Sequence, residues 1–130
     1  MNAPHTDSYT KLEPSSKHGI GVFAFRRIPS GINIFNSGES PMVEVDESMV
    51  AELPLLTRKM YKAFCPPKGD KLICPPSFNA LTIEWYLNHS KTPNVICDKD
   101  YNFISAKEIG IGEELLVDYT TYGEVNFHVK

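Results

Sequence analysis

Cysteine is scarce. There are three, Cys65, Cys74 and Cys97, odd in number and widely spaced. That argues against a disulfide scaffold and fits a reducing compartment. Cys65 and Cys74 lack the spacing of zinc ligands, and there is no second pair, so no metal is expected. Basic excess is also missing. A net charge of −3 over 130 residues argues against direct nucleic-acid binding, which needs cations for phosphate. No apolar run approaches the roughly 18 residues of a membrane span, so no membrane association is expected. Residues 1–8 carry neither a basic nor an apolar signal region, so no secretory leader is expected. There is no βαβ alternation, no solenoid repeat, no phosphate loop and no serine-hydrolase elbow.

What is present suits one small domain. At 130 residues the chain is too short for two βαβαβ halves. Ten prolines and eight glycines, spread along the chain, favour short strands and loops over long helices. Strands are expected at 9–13, 22–25, 32–35, 42–45 and 115–117, with a hairpin pairing 95–97 and 103–106. Residues 65–76 read as a loop or a proline-bounded hairpin. Helical spacing of Leu56, Met60, Ala63 and Phe64 predicts a helix ahead of Cys65. A second short helix is expected over 79–87, and Asp46 or Ser48 could cap a third. The sum is a mainly β domain over 9–123, with loose tails at 1–8 and 124–130.

Three segments carry candidate chemistry. The first is Lys17-His18-Gly19-Ile20-Gly21-Val22-Phe23-Ala24, a Gly-x-Gly ahead of a strand. It lets backbone approach a ligand closely, as it also would in a simple turn. The second is Tyr86-Leu87-Asn88-His89-Ser90-Lys91-Thr92-Pro93-Asn94, rich in donors and acceptors and stopped by proline. Alone, it also reads as a capped helix end. The third, Ile111-Gly112-Glu113-Glu114-Leu115-Leu116-Val117-Asp118-Tyr119, ends a strand on a tyrosine. Its hydroxyl can position a reacting group, or simply sit in a core.

Taken together, in this order and over about residues 9 to 123, the three segments resemble the SET-domain protein lysine methyltransferases, in the minimal form found in viruses and bacteria. The resemblance implies small curved sheets with a C-terminal pseudoknot. It implies S-adenosylmethionine as cofactor, held by Lys17, His18, Gly19, Ile20, Gly21, Asn88 and His89. Tyr119 would be the catalytic residue where the sulfonium methyl meets the lysine nitrogen, and Tyr122 would help cover the cofactor. Three positions replace larger aromatics of the family at the substrate channel: Asn36, Cys97 and Val117. A widened channel and di- or trimethyllysine products are therefore expected. Trp85-Tyr86 stands where the family has Arg-Phe, Lys91 where it has cysteine, and no cysteine-rich segment follows Tyr119.

The rival reading is a SET-like module that binds peptide or cofactor without turnover. Between Arg27 and Arg58 there is no cation, while Glu39, Glu44, Asp46, Glu47 and Glu52 supply five acids. Beside a peptide groove, they would steer a basic protein such as a histone tail. The resemblance also allows a homodimer. It suggests a cytoplasmic location in a bacterium, or a nuclear or cytoplasmic one in a eukaryote or its virus.

Overall fold

The computed structural model describes residues 5–35 and 42–122. Nine strands and two α-helices follow one another as β1 (Thr10–Pro14), β2 (Ile20–Ala24), β3 (Val43–Asp46), α1 (Glu47–Val50), α2 (Leu55–Phe64), β4 (Pro67–Lys68), β5 (Lys71–Cys74), β6 (Asn88–His89), β7 (Val95–Cys97), β8 (Phe103–Ser105) and β9 (Glu114–Val117). Two 3-10 helices, Ile83–Tyr86 and Tyr119–Thr121, complete the set. The larger sheet runs β1-β2-β9-β7-β8, with β6 also on β9, and the smaller runs β3-β5-β4.

The larger sheet encloses the core. Val22 and Ala24 on β2, Val95 and Cys97 on β7, and Leu115 and Val117 on β9 are fully buried, each pair two residues apart on one face of its strand. Ile28, Ile34, Trp85, Leu87, Phe103, Ile109 and Tyr122 close the cluster around them. A smaller cluster of Val50, Cys65, Leu72 and Cys74 lies under the second sheet.

β9 has an unusual setting. Val117 pairs in parallel with His89 on one edge and with Val95 on the other. The hydrogen bonds agree. Leu116 N–H donates to Asn94 Oδ1 (2.7 Å) and Leu116 C=O accepts from Asn94 N–H (3.1 Å) on one side. Val117 C=O accepts from Ser90 N–H (3.0 Å) on the opposite side. The strand thus passes between two arms of one segment, which is the crossing expected of the pseudoknot. The intervening residues, 90–94, turn tightly because Ser90 Oγ accepts the Thr92 N–H and Pro93 fixes its own φ.

Two local expectations are corrected. Residues 32–35 form no strand. Only Asn33 makes a bridge, to Ile104, because β8 is three residues long and pairs mainly with β7. The helix expected over 79–87 shrinks to Ile83–Tyr86, since Thr82 before it and Leu87 after it are both extended. α2 forms over the expected residues but buries none of them. Leu56 is 76% exposed, and of the apolar stripe only Phe64 packs against the main core. Asn36 and residues 124–130 lie outside the described residues.

Asn94 is buried and makes three hydrogen bonds that close the crossing, two of them with β9 backbone. Asn94→Ala leaves Leu116 N–H and Glu114 C=O without these partners. Urea denaturation should show a loss of about 1–3 kcal/mol. A change within about 0.5 kcal/mol would mean that the crossing does not depend on this side chain.

Candidate active site

One carboxylate organises the first two motifs. The two carboxylate oxygens of Glu114, the first residue of β9, share the single hydroxyl hydrogen of Ser15, whose Oγ lies 2.8 and 2.9 Å from them. Its Oε2 also accepts from Asn88 Nδ2 at 2.8 Å. The second hydrogen of that amide goes to the His18 carbonyl, 3.0 Å away. Asn88 Nδ2 is thereby fully committed to the protein, and only Oδ1 remains for a ligand. Gly21 lies against this clamp. A Cβ there would collide with Glu114 Oε2 and stand 3.1 Å from Asn88 Nδ2. Gly19 has a different reason to be glycine: its φ is +46°, a conformation that costs other residues.

Tyr119 is placed by the end of β9. Asp118 caps the following 3-10 turn, accepting from Thr120 N–H (3.0 Å) and Thr120 Oγ1 (2.7 Å), and these bonds hold its carboxyl below the usual range. The Tyr119 backbone N–H donates to His89 Nδ1 at 3.1 Å, and the two rings lie 5.2 Å apart. The Tyr119 hydroxyl donates to the Leu87 carbonyl. That bond uses the phenolic hydrogen and leaves the oxygen as an acceptor. Burial, with the Glu114 charge added, pushes the phenol up to about 12, so it stays protonated through the neutral range.

Two openings meet at this tyrosine. An open groove of about 770 Å³ runs along the Gly-x-Gly loop and α2. A narrow cavity of about 10 Å³ lies behind it, bounded by Met42, Glu84, Phe103 and Tyr122. Phe64, Trp85, Leu87 and Tyr119 line both. The groove can hold a large ligand with one end at Tyr119, while the cavity behind has room for about one water.

Most of the expected cofactor residues fall on the groove: Lys17, His18, Gly19, Ile20, Asn88, His89 and Tyr119 all line it. Gly21 is buried behind the loop, where it makes room for the clamp. Tyr122 is placed differently from the expectation. It is a core residue packed on Phe103 and Tyr119, and it lines the narrow cavity instead of covering the groove. Cys97 and Val117 are fully buried, and Cys97 lies close enough to the Tyr122 phenol to raise its pKa further beyond the large effect of burial. Neither Cys97 nor Val117 lines the narrow cavity, which Tyr122 does.

Sequence reading missed several groups. Lys59, Lys62 and Ala63 of α2 enter the groove, and no motif marks them. Ser15 and Glu114 were passed over although Glu114 lies within a quoted motif. Alternation along β9 was the available signal: Glu113 bonds Asn94 and the Gly110 N–H, while Glu114 turns to the opposite side.

Gly21→Ala should force the Glu114 carboxylate away and release Ser15 and Asn88. The expected cost is about 1–3 kcal/mol in denaturant unfolding. The same change made together with Glu114→Ala should cost less than the sum of the two single changes, because the collision is then gone. Strict additivity would show that the collision is relieved elsewhere.

The comparisons with known proteins agree with this geometry. The family model of the SET domain matches residues 19–120. No curated protein matches the chain. Among solved structures, the crystal structure of a Plasmodium falciparum protein named as a candidate histone methyltransferase is similar, with a TM-score of 0.56 and 20% identity over 86% of this chain and 93% of that one. At that identity the likeness speaks for the fold. The mainly β architecture, the crossing at β9 and a family match over most of the chain lead to one assignment: this protein belongs to the SET-domain family.

Proposed function

We propose that the protein is a lysine N-methyltransferase that takes its methyl group from S-adenosylmethionine and acts on a lysine of a basic protein. The observation that carries this reading is the meeting of groove and narrow cavity at Tyr119. SET domains in general are lysine methyltransferases using this cofactor, and the residues present fit it. The groove volume falls in the range of roughly 300–1,000 Å³ usual for small-molecule sites. Gly19 presents bare backbone, and among the described residues no hydrogen bond of Asn88 Oδ1 is found. Lys17, Lys59 and Lys62 offer cations to a carboxylate end, and Phe64, Trp85 and Tyr86 offer apolar faces to a base.

S-adenosylmethionine, when bound, supplies an electrophilic methyl group on a sulfonium. The chain supplies position and dryness. The narrow cavity has room for about one water, so an extended side chain enters only as its aromatic walls give way, and a channel filled in this way excludes water and favours the neutral amine. The Tyr119 oxygen, its hydrogen already donated to Leu87, can accept from the amine and fix its direction. It can also receive weak C–H···O contacts from the methyl group. Glu44 on β3, and Glu47 and Glu52 on and after α1, would draw a cationic peptide to this end of the molecule, while Asp46 is already paired with Lys71.

A labelled-methyl assay against a panel of basic, neutral and acidic proteins tests the reading. Transfer should favour the basic proteins, weaken with salt and fall about 10²-fold or more in Tyr119→Phe. S-adenosylhomocysteine should bind that variant nearly as well as the parent. Binding without transfer to any lysine would make the protein a binding module. The size of the narrow cavity gives a further expectation. Mass spectrometry over time should show monomethyllysine accumulating before any higher product. Trimethyllysine from the earliest turnovers would mean that Tyr122 moves aside.

A further inference from the structure

Two buried thiols face each other at the end of α2, and the reading above uses neither. β4 and β5 form a hairpin in which Pro67 pairs with Leu72 and Lys68 with Lys71. The ladder runs one step further, since the Ile73 N–H donates to the Pro66 carbonyl at 2.9 Å. The next position outward sets Cys65 opposite Cys74. Pro66 and Ile73 form the hydrogen-bonded pair, so the cysteines occupy a non-hydrogen-bonded one. At such a position opposite Cα atoms stand about 4.5 Å apart and side chains come closest. A disulfide spans Cα separations of about 4.4–6.8 Å. Both thiols are buried and reduced, pack in the same small cluster and lie within hydrogen-bond range of each other. The sequence favours this setting. Each cysteine is followed by two prolines, Pro66-Pro67 and Pro75-Pro76, and a residue before proline stays extended, as Cys65 does at φ −112° and ψ 100°. Cys97 belongs to the other cluster.

We propose that Cys65 and Cys74 close into a reversible disulfide that clasps the end of α2 to β5 and so fixes one wall of the groove. Cys65 follows α2 directly, and Lys59, Lys62, Ala63 and Phe64 of that helix line the groove. α2 buries none of its residues, and Tyr61 and Phe64 tie it to the body through ring contacts with Phe78 and Tyr86. A covalent bond one residue beyond Phe64 adds to them. The oxidant is a small-molecule disulfide such as oxidised glutathione. The Cys65 thiolate attacks one of its sulfurs, the S–S bond breaks and one thiol leaves. The Cys74 thiolate then displaces the second thiol. Two cysteines are thereby oxidised to one disulfide, the oxidant is reduced to two thiols, and the two cysteine protons pass to them. Burial holds both cysteines protonated in the closed protein, so attack begins when the last turn of α2 opens. The bond therefore forms where α2 is loose and then holds it shut.

The full chain is incubated with oxidised glutathione to completion, denatured without reductant and alkylated with iodoacetamide. The reduced protein should take up three alkyl groups, one on each cysteine. The oxidised protein should take up only the one on Cys97, and proteolysis should release a peptide pair joined through Cys65 and Cys74. Dithiothreitol should restore all three. The Tm of the oxidised protein should rise by roughly 5 °C or more, as expected for the short loop that the bond closes. Hydrogen exchange of the α2 amides should slow by about tenfold. Cys65→Ser and Cys74→Ser should show neither change on oxidation. Three alkylated cysteines, at a glutathione concentration that oxidises the same chain in urea, would overturn the proposal. So would a bridge to Cys97, or a mixed disulfide with glutathione as the end product in the parent. A Cys65–Cys74 bond that leaves α2 exchange unchanged would overturn the clasp as well.

Discussion

β9 is held on both edges by one short stretch of chain, and the site depends on that arrangement. Ser90 bonds one edge and Asn94 the other. The crossing fixes three relations that no local interaction could fix. Asn88 comes beside Glu114, 26 residues away in sequence. Leu87 C=O comes beside the Tyr119 hydroxyl, 32 residues away. The Gly-x-Gly loop is drawn in through Ser15 and the His18 carbonyl. Such long-range contacts cost loop-closure entropy and form only if burial repays it. The fully buried Val22, Val95, Leu115 and Val117 at the centre of the larger sheet supply that burial.

The site is polar on its groove side and aromatic on its cavity side. Tyr119 stands at the boundary. Its phenol is kept protonated by burial, and its hydrogen is tied to a backbone carbonyl, so its oxygen has a fixed direction. Phe64, Trp85 and Leu87 form the common wall. This explains why α2, exposed along its length, still matters. Its last turn brings Phe64 against Tyr86, with ring centroids 5.6 Å apart, and so closes the junction from outside.

Much of this was legible in the sequence, for identifiable reasons. Asn88, His89 and Tyr119 stand in spaced motifs, and short strands bounded by Gly and Pro marked β1, β2, β7 and β9. The helix at Leu55–Phe64 was legible from its period, but its exposure was not, because a period shows which residues share a face and not what covers it. The width of the channel was not legible for a similar reason. Cys97 and Val117 are small, yet Tyr122, 25 residues beyond Cys97, fills the space beside them, since interiors close their voids with whatever side chain the fold brings near. Glu84 carried no motif at all. Its burial follows from the 3-10 turn that also buries Trp85.

The Glu114 clamp sets the shape of the groove from behind, without lining it. Calorimetric binding of S-adenosylhomocysteine to Glu114→Ala tests this directly. The variant leaves Ser15 and Asn88 without their shared partner, so the Gly-x-Gly loop should loosen. Affinity should fall by about tenfold or more, with Glu114→Gln in between and the protein still folded by circular dichroism. An affinity equal to the parent's in a folded Glu114→Ala protein would contradict the account.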